Sequence, residues 1–114
     1  MKKFNLFLIV AISALLFTAC DKNVKLDTLA GTSWRYDFNK NEYQTYDFYE
    51  DGSCNYFIHS ASGDVTLPLE WTCTASGYVK TTVKITEKTW KTGTFDKDKG
   101  TLVMDGLKYT LTKH

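Results

Sequence analysis

Cysteines, histidines and outward-facing aspartates are the side chains of this 114-residue chain that could do chemistry. Cys54 and Cys73 each fall on the apolar side of a stretch in which apolar and polar residues alternate. An even cysteine pair in an exported domain points to a disulfide. A hairpin that sets Cys54 opposite Cys73 also sets Tyr56 opposite Trp71 and Ile58 opposite Leu69, so one register satisfies three pairs. The alternative is two buried free thiols acting as small apolar residues. His59 and His114 stand alone, and two isolated imidazoles make no zinc site; no metal and no cofactor are expected. Asp37 and Asp47 lie outward on neighbouring strands, where a carboxylate pair could run glycoside hydrolysis, yet outward charge is ordinarily just solvated. The chain has no glycine-rich phosphate loop, no serine elbow and no Cys-His motif. It is expected not to be an enzyme.

The remaining cysteine has a different setting. Met1, Lys2 and Lys3 form a short positive start, and Leu6 to Phe17 is an uncharged run of twelve residues. As a helix that run covers about 18 Å, well short of the roughly 30 Å of a membrane core. It therefore fits the apolar region of a signal peptide and not a spanning anchor. It ends in Phe17-Thr18-Ala19-Cys20, which resembles the lipobox of bacterial lipoproteins. The resemblance implies cleavage before Cys20 and lipidation of Cys20, the alternative being ordinary cleavage after Ala19 with an incidental thiol. Cleavage removes Lys2 and Lys3 from 14 basic residues against 13 acidic ones, so the mature chain sits one charge on the acidic side of neutral. Such a chain has no field to hold nucleic acid and gains nothing from anionic lipid. Membrane attachment would come from acyl chains alone. The expected organisation is a signal peptide over residues 1–19, a lipidated N-terminus and tether over 20–31, and one domain over 32–114. The expected address is the bacterial cell envelope, at the outer membrane or cell surface before the inner membrane.

The domain itself reads with a period of two. Val65, Leu67, Leu69, Trp71 and Cys73 alternate with polar residues, as do Val79, Thr81, Val83 and Ile85. Asp105-Gly106 suits a two-residue turn that pairs Met104 with Leu107 and Leu102 with Tyr109. At Glu50-Asp51-Gly52 only a three-residue loop with Gly52 left-handed keeps the faces separate, with Phe48 opposite Cys54 and Tyr46 opposite Tyr56. Adding Ser33–Phe38 and Thr89–Phe95 gives about eight short antiparallel strands in a meander, all-β, with hairpin-length connections. Closure would remove exposed edges, so an up-and-down barrel is expected, with a two-sheet sandwich as the alternative. Leu29-Ala30-Gly31-Thr32-Ser33-Trp34, Phe48-Tyr49-Glu50-Asp51-Gly52-Ser53 and Tyr109-Thr110-Leu111, behind a lipobox, resemble the small lipocalin-like lipoproteins of bacteria. That resemblance implies a single barrel with a ligand cavity.

An eight-stranded barrel is just wide enough to be filled by side chains or to hold one small ligand. Trp34, Tyr36, Phe38, Tyr46, Phe48, Tyr56, Trp71 and Tyr109 are expected to point inward, which leaves little room. Tyr43, Tyr49, Phe57 and Tyr78 are aromatic where alternation expects polar residues, a candidate surface contact patch for a protein or the apolar face of a sugar. Two functions are expected to compete: a non-catalytic module acting through its barrel surface, and a binder of a small ligand in the barrel.

Overall fold

A computed structural model describes residues 25–114. The expected signal peptide and the expected lipidation site Cys20 lie outside the described residues. The chain runs β1 (Ser33–Asp37), β2 (Tyr43–Phe48), β3 (Ser53–Ser60), β4 (Gly63–Cys73), β5 (Tyr78–Val83), β6 (Thr89–Asp96), β7 (Thr101–Met104) and β8 (Leu107–Lys113). Each strand pairs antiparallel with the next, and β1 closes on β8 through Trp34 opposite Leu111 and Arg35 opposite Thr110. This is a closed up-and-down barrel, and the closure excludes the sandwich.

Turn chemistry sets much of the register. Asp105 (φ 53°) and Gly106 (φ 78°) are both left-handed, the requirement of the two-residue turn that pairs Met104 with Leu107. Gly52 (φ 90°) takes the left-handed place in a three-residue loop, and Phe48 lies opposite Cys54 as expected. Beside it the Asp51 carboxylate accepts hydrogen bonds from Ser53 N (2.9 Å) and Oγ (2.6 Å), which hold its carboxyl below the usual range. The β5–β6 ladder shifts register between Lys80 and Thr82. There the buried Thr81 hydroxyl replaces the lost ladder bonds, donating to Lys91 O (2.7 Å) and accepting from Lys91 N (3.0 Å).

The interior is packed with side chains. Trp34, Cys54, Val79, Thr81, Leu102 and Met104 are fully buried, and Tyr46, Phe48 and Leu69 are 1% exposed. The end carrying loops 49–52, 74–77 and 97–100, here the lower end, is filled by the N-terminal segment. Leu26 N donates to Lys97 O (2.7 Å), and Leu26 and Leu29 join the core at 7% and 1% exposure. The stretch expected to be only a tether thus supplies two core residues.

Three inward expectations fail at the opposite, upper end. Ile85 is 85% exposed because alternation continues past the end of β5 into the turn that precedes β6, where it no longer marks a buried face. Val65 is 58% exposed because the β3–β4 hairpin rises past its neighbours. Phe38 follows the last residue of β1 and is 49% exposed, packing edge-on against Tyr36 at 5.1 Å.

The expected Cys54–Cys73 disulfide is also corrected. Cys54 pairs with Leu69, Tyr56 with Leu67 and Ile58 with Val65, a hairpin turning at Ala61-Ser62. Cys73 lies four residues farther along β4, opposite Val79. Four residues of strand span about 13 Å, beyond the roughly 7 Å Cα limit for a bridge. Both are free thiols, Cys54 buried and Cys73 half-buried, and burial pushes both thiol pKa values up, away from reactive thiolate.

Candidate functional site

The outer face of β1–β4 and the adjoining β8 carries a groove of about 480 Å³ lined by Arg35, Tyr43, Thr45, Asp47, Asn55, Phe57, Thr66 and Thr112. Its floor is short because Thr45, opposite Arg35 on one side and Phe57 on the other, is flanked by longer neighbours. The walls are ordered by contacts between side chains. The Arg35 guanidinium stacks 3.7 Å above the Tyr43 ring centre, and its Nε donates to Asp37 Oδ1 at 2.9 Å. The His59 ring stacks on Tyr43 at 5.2 Å, and His59 Nδ1 meets Asp64 Oδ1 at 2.6 Å. A ladder Asp37–Arg35–Tyr43–His59–Asp64 therefore crosses four strands. Phe57 completes the wall, its ring 6.1 Å from Tyr43.

Of the four aromatics expected to form a patch, the fold brings Tyr43 and Phe57 together in this groove. Tyr49 stands at its lower margin, its hydroxyl 3.5 Å from Asn55 Nδ2. Tyr78 pairs opposite Thr94 on the β5–β6 side of the barrel and does not join them. Sequence reasoning missed Arg35, Thr45, Asn55, Thr66 and Thr112. Their common signal is outward parity at one level of adjacent strands, visible only once the register is known. The two aspartates do not form a hydrolytic pair: Asp47 lies opposite Ser33 and Asp37 opposite Tyr43, about 13 Å apart along the sheet. Glycosidase carboxylates stand at most about 9.5 Å apart. Among the described residues no three His, Cys, Asp or Glu side chains gather as a metal site.

Both ends of the barrel differ from this groove in character. At the lower end, about 590 Å³ opens between the 74–77 and 97–98 loops, lined by Leu29, Trp71, Cys73 and Phe95 among others. At the upper end the half-buried side chains of Tyr36, Tyr56, Leu67, Val83, Trp90 and Leu107 face inward above the core. Beneath them Gln44 Nε2 donates to Tyr109 Oη at 2.6 Å, and the Tyr56 hydroxyl donates to Gln44 Oε1. The buried Trp90 Nε1 approaches the Tyr46 hydroxyl closely enough to oppose its pKa rise without meeting hydrogen-bond geometry, so this donor has no partner among the described residues.

Burial raises the pKa of Tyr46, Tyr56 and Tyr109 above the ordinary tyrosine value of 10. A raised folded pKa contributes stability that is present below the unfolded value and lost as pH climbs through the folded one. The melting temperature is therefore expected to hold to about pH 9 and to fall steeply above about pH 10, with phenolate absorbance appearing together with unfolding. Titration of Tyr46, Tyr56 and Tyr109 near pH 10 in a still-folded barrel would show that these rings are not buried.

No known protein family, no curated protein and no solved structure matches the chain.

Proposed function

We propose that the chain is a lipid-anchored, lipocalin-like module of the bacterial cell envelope that binds without catalysis through the outer groove around Thr45. The supporting observation is the contrast between a barrel interior filled by Trp34, Tyr46, Phe48, Leu69, Leu102 and Met104 and a preformed groove on its wall. The groove holds one guanidinium, one carboxylate, an amide and hydroxyls beside two aromatic rings. That mixture suits a neutral, hydroxyl-bearing surface, such as a glycan or a polar protein patch, over a polyanion. Anchoring rests on residues 1–20. A second function, small-ligand binding at the upper mouth, draws support from the unpartnered Trp90 Nε1 and the half-buried rings around it.

Cys20→Ser is expected to abolish fatty-acid labelling and release the mature chain from membranes; persistent attachment would sink the anchor. In pull-downs from envelope extract, Arg35→Ala combined with Phe57→Ser is expected to cut capture at least about tenfold, the equivalent of 1.4 kcal/mol. The melting temperature should not change. Equal capture by the parent and the double variant would move binding away from the groove.

A further inference from the structure

β4 is eleven residues long, and its two edges are used unequally. On one side β3 pairs with it continuously from Gly63 to Glu70. On the other, β5 pairs only from Leu69 to Cys73, followed by a single bond from Lys84 N to Pro68 O at 3.4 Å. In an antiparallel strand the N–H and C=O of one residue point the same way, and the direction alternates with each residue. Pro68 O faces the β5 side, as does Thr74, whose N bonds Tyr78 O, while Trp71 N bonds Gly52 O on the β3 side. Even-numbered residues of β4 therefore face away from β3. The N–H and C=O groups of Asp64 and Thr66 project from the barrel wall with no partner among the described residues.

We propose that this edge, Gly63 to Leu67, is a docking site for an extended peptide segment of a partner protein, which adds to β4 as a further strand. Backbone donors and acceptors repeating every two residues, about 6.8 Å apart, are matched by another main chain and by no small molecule. Pro68 lacks an N–H and its carbonyl is already taken by Lys84, so pairing stops there and the added strand is about five residues long. Parity sets the side-chain pattern. Val65 and Leu67 lie on the mouth side, where Ile85 is also exposed, whereas Asp64 and Thr66 face outward and are polar. The matching peptide alternates apolar and polar residues. A second copy is disfavoured: two-fold pairing about Val65 would turn the partner barrel end over end, which two chains anchored in one membrane cannot do. The exclusion of a second copy rests on the anchor proposed above and the edge itself does not; the edge adjoins the groove, which the Thr66 side chain lines, while the Thr66 and Asp64 backbone groups face away from β3.

The test is amide hydrogen exchange and chemical shift by NMR on the mature chain, with the probe acetyl-Val-Thr-Val-Thr-Val-amide. Without peptide, the Asp64 and Thr66 amides are expected to exchange about tenfold or more faster than those of Val65 and Leu67, which are bonded to β3. Millimolar peptide should slow and shift Asp64 and Thr66, and the same peptide N-methylated at both threonines should not. Thr66→Pro, at a position whose N–H faces solvent, should fold and lose the response, while Arg35→Ala with Phe57→Ser should keep it. Protection of Asp64 and Thr66 in the free chain would overturn the proposal. So would equal response to the methylated peptide, or no response at about 5 mM. Protection that grows with protein concentration alone would also overturn it and assign the edge to a second copy.

Discussion

Trp34→Ala is expected to unfold the barrel or leave it barely folded at 25 °C. Trp34 is fully buried, packs edge-on to Phe95 at 6.3 Å, and donates from Nε1 to Thr32 Oγ1 at 2.7 Å. Thr32 Oγ1 in turn donates to Leu29 O at 2.5 Å, and Thr32 O accepts from Phe48 N at 2.9 Å. The Trp34 side chain therefore joins β1 to β6 and, through Thr32, to the N-terminal segment. Cutting a core tryptophan to alanine costs about 3–5 kcal/mol, and the loss of the hydrogen bond that the buried Thr32 hydroxyl accepts adds to that. A small domain has only about 5–15 kcal/mol in total. Thr110→Ala, on the exposed face of β8, should stay within about 0.5 kcal/mol of the parent. Urea unfolding followed by circular dichroism checks both. A Trp34→Ala loss below about 1.5 kcal/mol would contradict this packing.

Gly93→Ala is expected to be nearly as damaging, for a different reason. Gly93 pairs with Val79 on β5 and Met104 on β7. A Cβ at this position would overlap Val103 O and lie 2.7 Å from Met104 Sδ and 2.9 Å from Met104 Cα. Met104 Sδ can swing aside, but the carbonyl of a four-residue strand cannot move without breaking ladder bonds. A cost of about 3 kcal/mol or more follows. Gly52→Ala is the useful contrast, since Gly52 has φ +90° and an added methyl would find nothing within 4 Å. It should lose only the conformational strain of about 1–3 kcal/mol. If thermal unfolding places Gly93→Ala at or above Gly52→Ala, the close approach of β6 and β7 is wrong.

Where the sequence was legible, two local signals agreed. Alternation assigned the faces, and Asp105-Gly106 and Glu50-Asp51-Gly52 offered turns compatible with only one register. The β3–β4 hairpin shows the limit. Shifting its register by four residues keeps every inward side chain inward, so alternation cannot separate Cys54 opposite Cys73 from Cys54 opposite Leu69. Only the turn can, and Ala61-Ser62 sets it. Leu26 and Leu29 were illegible because they fill an end of the barrel without belonging to a periodic element. The groove was half legible: outward Tyr43 and Phe57 stand out by residue type. Thr45 does not, because its role is to be short between long neighbours, and that depends on pairing across three strands.

The burial of Leu26 also limits how far the molecule can reach. From Cys20 to Leu26 the chain can extend at most about 22 Å, and from Leu26 onward it is part of the barrel. Under the proposed anchoring, the barrel works on a short leash, with its lower end and the depression around Trp71 and Cys73 kept on the side of the lipid surface. The upper rim, with Val65 and Ile85, faces away from it. A partner must then come within a few nanometres of the membrane to be caught, and longer reach would require residues inserted before Leu26, not after it.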